Sequence, residues 1–103
     1  MKSGPATLRE NPAYSRAGVS AAKERDLYAV VIIDNDHNTY QQVIDICMKA
    51  LGCDFQHAFS IALAVDNNGE AEVLRAPLDE ARRIASIIET IGIEVKLLPL
   101  FAG

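Results

Sequence analysis

The amino-acid sequence predicts one α+β domain, with three helices packed on one face of a small three-stranded sheet in the order β-α-α-β-α-β. Three observations carry this. Tyr28-Ala-Val-Val-Ile-Ile33 is a short run rich in β-branched residues; three later stretches repeat apolar residues at helical spacing; and Gly52, Asp66-Asn-Asn-Gly69 and Gly92 punctuate those stretches. At 103 residues, half of them apolar, the chain has material for one packed core.

The run Tyr28–Ile33 is too short for a typical helix and reads as a strand buried on both faces. It ends in the polar turn Asp34-Asn-Asp-His-Asn38. Thr39 followed by Gln42 is a capping box, after which Val43, Ile46, Cys47, Ala50 and Leu51 mark a helix that Gly52 stops. Asp54 caps a second helix, in which Phe55, Ala58, Phe59, Ile61, Ala62 and Val65 form a wide apolar face. A second strand is expected from Glu70 to Arg75, although its alternation is poor. Pro77, Asp79 and Glu80 suit the first turn of a third helix whose stripe is Leu78, Ala81, Ile84, Ala85, Ile88 and Ile91. Glu94 to Leu98 reads as a last strand, ended by Pro99.

Residues 1–27 hold Gly4, Pro5, Pro12, Gly18 and little apolar material beyond Ala, so they are expected to be a flexible tail ahead of a domain over 28–103. The tail carries five Lys or Arg against three acids and the domain five against eleven. So acidic a domain lacks the basic patch that nucleic acid demands, and a cationic group suits it better. No apolar run is long enough to span a membrane, and no secretory signal pattern opens the chain, so a cytoplasmic location is expected. Nothing in the sequence demands more than a monomer.

The polar loop after the first strand is the best candidate site. Asp34, Asn35, Asp36 and Asn38 lie at a strand-to-helix junction, and an antiparallel pairing of the first two helices would bring Asp66 towards them. Three readings stay open for these residues. Asp and Asn populate turns because they bond local backbone. Asp34, Asp36, Asn38 and Asp45 also stand at ligand positions of a calcium loop, with Thr39 where the sharp turn needs Gly. Two carboxylates can serve as acid and base, yet no phosphate loop, nucleophile elbow or supported Cys-His pair accompanies them. His37 sits in the loop and His57 on a helix surface. Cys47 and Cys53 fit neither a redox pair nor a zinc knuckle and read as reduced structural thiols. No cofactor, metal or catalytic residue is expected.

Tyr28-Ala-Val-Val-Ile-Ile-Asp-Asn-Asp36, Val43-Ile-Asp-Ile46, Ala62-Leu-Ala-Val65 and Gly69 together resemble the ClpS adaptor family, from about Tyr28 to Ala85 and more loosely to Leu98. The resemblance implies a domain similar to the C-terminal domain of the ribosomal stalk protein. It implies a non-enzymatic adaptor that binds bulky N-terminal residues of substrates, or N-degrons, and delivers them to a Clp AAA+ unfoldase with the help of a flexible N-terminal arm. On the family's pattern, Asp34, Asn35, Asp36 and Asp66 form a rim for the α-ammonium, while Asn38, Tyr40, Val43, Ala62 and Val65 shape the pocket. The resemblance also implies an unfoldase-facing surface at Asp79, with Arg83 close to Ile84, which stands where the family has Lys. The chain departs from the family at Asp34 and Asn35, whose residue types are exchanged, at Asp66, where His is usual, and at Tyr40 and Ala62, where Met is common. The alternative is a diverged domain of the same fold that binds another cationic ligand or a metal.

Overall fold

Residues 26–101 are described by the structure, a computed structural model of the chain. The tail expected over 1–27 lies outside them except for Asp26 and Leu27, and Leu27 already opens β1 (Leu27–Ile33). Then follow α1 (Tyr40–Leu51), α2 (Phe55–Asn68), β2 (Glu70–Pro77), α3 (Leu78–Glu89) and β3 (Glu94–Pro99), in the order the sequence predicts. The sheet is antiparallel throughout, with β1 between β2 and β3.

β1 occupies the middle because its side chains suit burial on both faces. Val30 and Ile32 point into the single core cluster, where they meet Val43, Ile46 and Cys47 of α1, Ala58, Ile61 and Val65 of α2, and Ala81, Ile84 and Ile88 of α3. Ala29 and Val31 turn to the opposite face and are buried too. Their cross-strand neighbours are Arg75 and Leu98 for Ala29, and Glu72 and Lys96 for Val31. Long stems on the edge strands thus flank small residues on the central one. Arg75 bonds Glu72 at 2.6 Å across that outer face.

The weak alternation of the second strand has a local cause. The register of β1 against β2 shifts between Val30 and Val31, so that Val30 pairs with Leu74 and Val31 with Glu72. This bulge changes the phase, and Ala71, Val73, Leu74 and Ala76 all reach the core side. β2 also runs on to Pro77, which serves as the N-cap of α3.

α2 differs from expectation in which residues it buries. Ala58, Ile61, Ala62 and Val65 face the core at spacings of three and four, but Phe55 and Phe59 are 51% and 40% exposed. The apolar arc of α2 is wider than the face that α1 and β2 cover, and the two rings fall on the uncovered side. Cys47 is fully buried, and this burial pushes its thiol up to about 12. The Cys53 thiol points to the Cys47 carbonyl at 3.7 Å, and both cysteines are free.

Truncating a fully buried contact should cost far more than truncating an edge. Ile88→Ala is expected to destabilise the chain by about 3 kcal/mol, and Leu98→Ala on the outer face by less than about 1 kcal/mol. Urea unfolding followed by circular dichroism measures both; similar losses would contradict this assignment of the core.

Candidate ligand pocket

The pocket lies where β1 stops and β2 starts. Gly69, at φ 85°, closes α2 and turns the chain so that its carbonyl accepts the Asp34 backbone N–H at 2.9 Å. This bond fixes the end of α2 against the loop that follows β1, and so brings Asp66 to Asp34. The resulting pocket of about 170 Å³ is lined by Asp34, Asn35, Asn38, Thr39, Tyr40, Val43, Ala62, Val65 and Asp66. Its size suits one side chain rather than a drug-sized molecule, whose sites run to about 300–1,000 Å³.

The loop itself is held by its amides. The Asn35 Oδ1 accepts the backbone N–H groups of His37 and Asn38 at 3.2 and 2.9 Å, and its Nδ2 donates to Asn38 Oδ1 at 2.7 Å. Asn38 Nδ2 in turn donates to the Ile91 carbonyl at 2.8 Å and to Gln42 Oε1 at 3.0 Å. Thr39 and Gln42 complete the capping box, which sets Tyr40 as the first residue of α1. Asn35 and Asn38 therefore spend most of their bonding capacity on loop shape, as turn-forming residues do.

The carboxylates behave differently from one another. Asp34 and Asp66 line the pocket, and among the described residues no Lys or Arg lines it. Asp36 does not line it: its side chain is wholly exposed, 3.8 Å from the His37 ring. Asp66 Oδ2 accepts the Tyr40 hydroxyl at 2.6 Å, joining α2 to α1 across the pocket. This bond and the negative charges of Asp66 and Asp34 raise the Tyr40 pKa above its ordinary value. Val43, Ala62 and Val65 form the apolar wall and belong at the same time to the core cluster.

The calcium-loop alternative does not assemble. α1 begins at Tyr40, Asp45 lies within that helix and accepts a 2.7 Å bond from Gln41, and Asp36 points away. Among the described residues no group of three or more His, Cys, Asp or Glu is placed to hold a metal ion. No helix among them is long and apolar enough to cross a membrane.

A second cleft, of about 370 Å³, opens at the other end of β1 between Asp26, Tyr28, Pro77, Leu78, Asp79 and Phe101. Tyr28 and Phe101 meet edge to face, their ring centroids 5.4 Å apart. Phe101 arrives there because pairing outlasts β3: the Leu100 N–H donates to the Leu27 carbonyl at 2.9 Å. The sequence offered no sign of this beyond an aromatic residue near its end. Asp79 borders the cleft, and Arg83, one turn further along α3, is exposed and paired with Glu80 at 2.7 Å. That pairing raises the Arg83 pKa and lowers that of Glu80.

The model of the family described as ATP-dependent Clp protease adaptor protein ClpS matches residues 23–100. The chain belongs to the ClpS family. As a ClpS protein it is an adaptor of the ATP-dependent Clp protease. Among solved structures it is similar to Agrobacterium tumefaciens ClpS2 bound to L-phenylalaninamide, with a TM-score of 0.69 at 16% identity, covering 73% of this chain and 98% of that one. No curated protein matches the chain in sequence. At that identity the likeness to the solved structure establishes the ClpS fold, and the pocket of this family member has to be read from its own residues.

The Tyr40–Asp66 bond can be seen by titration. One tyrosine is expected to ionise above the ordinary range, to move down in Asp66→Asn and to vanish in Tyr40→Phe, followed by phenolate absorbance. Because the folded-state value is the raised one, the bond stabilises the fold below the ordinary tyrosine pKa, and that contribution is lost as pH rises through the raised value. Coincident titration in wild type and Asp66→Asn would mean the bond does not form in solution.

Proposed function

We propose that the pocket binds the N-terminal residue of substrate proteins and that the chain, acting without catalysis, delivers them to a Clp AAA+ unfoldase. The single observation that carries this reading is a pocket for one side chain whose polar rim, among the described residues, holds two carboxylates and no cation. An α-ammonium brings one charge and three donors, which Asp34 and Asp66 can accept while Val43, Ala62 and Val65 enclose the side chain. The similar ClpS2 structure holds L-phenylalaninamide, an aromatic amino acid with a free α-ammonium and a capped carboxyl group, as at the start of a peptide. Family membership supports delivery to the Clp protease.

In this reading Asn35 and Asn38 hold the loop in place, Tyr40 holds Asp66, and Asp36 adds only a distant charge to the rim. Asp79, at the far end of β1, and Arg83, one turn further along α3, are exposed and face the unfoldase. The adaptor works as a monomer in the cytoplasm, without a cofactor or metal.

Fluorescence anisotropy with short peptides beginning in Phe, Leu, Tyr, Trp or Met, each free and N-acetylated, tests the proposal. Free peptides are expected to bind and acetylated ones not. Asp34→Ala and Asp66→Asn should each weaken binding about tenfold or more, as loss of a charge-assisted bond does, whereas Asp36→Ala should change it by less than about threefold. Equal binding of acetylated peptides would turn the reading to a different ligand for the same rim.

A further inference from the structure

Beyond the pocket, α2 leaves a strip of apolar surface uncovered. Among the described residues six large apolar side chains are exposed, and four of them, Tyr40, Phe55, Phe59 and Leu63, are grouped together or share one helix face. Phe55, Phe59 and Leu63 recur every fourth residue on α2, and with Asp66 they fall within an arc of about 80°. Tyr40 joins this strip to the pocket. Its hydroxyl bonds Asp66 at the rim, and its ring lies 6.2 Å from that of Phe59, which stacks on Phe55 at 6.0 Å.

The dimensions narrow the choice of occupant. The four side chains are 39–51% exposed, which amounts to about 350 Å² of apolar surface. A stable protein dimer needs about 800 Å² from each partner, so the strip alone is too small to hold a second copy. From Asp66 back to Phe55 the helix spans about 16 Å, which an extended peptide covers in about five residues. Alternate side chains on such a peptide lie about 6.6 Å apart on one side, close to the steps of the aromatic ladder.

We infer that the Tyr40–Phe59–Phe55 ladder, bordered by Leu63, is a docking track for the residues that follow the N-terminal one in a bound peptide. It selects substrates with apolar side chains at positions three and five. Those positions share a side with the first residue, so when that side chain enters the pocket they face α2, and the peptide runs from Asp66 towards Phe55. This rests on the N-terminal-residue reading of the pocket and adds a second determinant to it.

The test uses the full chain, its Phe55→Ser/Phe59→Ser variant, and two dye-labelled peptides, Phe-Ser-Leu-Ser-Leu and Phe-Ser-Ser-Ser-Ser. Wild type should bind the leucine peptide about tenfold more tightly than the serine peptide, and the variant should bind both with the affinity wild type has for the serine peptide. Both substituted rings are exposed, and an unchanged thermal melt verifies the fold. Equal binding of the two peptides by wild type, or a leucine preference that survives in the variant, overturns the track and leaves the pocket reading standing. A dimer in sedimentation velocity that the variant abolishes would assign the strip to a second copy and overturn the track as well. Failure of wild type to bind either peptide with its N-terminus free overturns the pocket reading and the track with it.

Discussion

Because β1 is hydrogen-bonded on both edges and shielded on both faces, whatever leaves its two ends is held in a fixed place. Seven residues of strand, Leu27 to Ile33, run about 20 Å. At one end Asp34 is tied to Gly69, and a pocket forms between the start of α1 and the end of α2. At the other, Tyr28 meets Phe101 and Pro77 opens α3 beside Asp79. The core that α1, α2 and α3 make with Val30 and Ile32 holds both arrangements rigid. The central strand thus positions the functional loops as well as anchoring the core.

The chemistry of the pocket follows from a shortage of positive charge among the described residues that line it. Two carboxylates that share a small rim repel each other, and bonds from neutral groups relieve this only in part. Tyr40 supplies one such bond to Asp66, and backbone N–H groups serve the Asp34 side of the loop, where the Asn35 N–H donates to Asp34 Oδ1 at 2.8 Å. The rim is therefore prepared for a cation, and the apolar wall behind it restricts which cation fits. A metal ion would need more oxygen ligands than the rim gathers, since Asp36 faces water and Asn35 and Asn38 are engaged in the loop. A primary ammonium beside an apolar side chain meets both conditions.

Much of this was legible in the residues. The β-branched run, the capping box at Thr39, and Gly52 and Gly69 gave the elements because each is a local signal: its physics lies within a few neighbours in the chain. The approach of Asp66 to Asp34 was legible too, since two short-looped antiparallel helices return the chain near its start. What the sequence left hidden depends on partners far along the chain. Whether Phe55 and Phe59 lie inside or outside depends on how much of α2 is covered by α1 and β2. The phase change in β2 depends on a bulge against β1. The direction of Asp36 depends on Asn35 and Asn38 closing the loop around themselves. The one sequence signal for the exposed rings was an apolar arc on α2 wider than a single packed face requires.

The arrangement also bears on how an adaptor works. If substrate and unfoldase contacts lie at opposite ends of a strand buried in a single core, neither needs to alter the other. What such a protein contributes is proximity: holding a substrate beside the unfoldase raises its local concentration without any change of shape. Coupling between the two ends would require an element with two arrangements. β1, hydrogen-bonded to both neighbours with Val30 and Ile32 fully buried, is poorly suited to be that element. Selectivity must then reside wholly at the substrate end, in the rim that reads a charge, the wall that reads a side chain and the surface over which the rest of the substrate leaves. That places the changes at Tyr40, Ala62 and Asp66, and the exposed rings of α2, where this chain would set its own substrate preference while keeping the scaffold of its family.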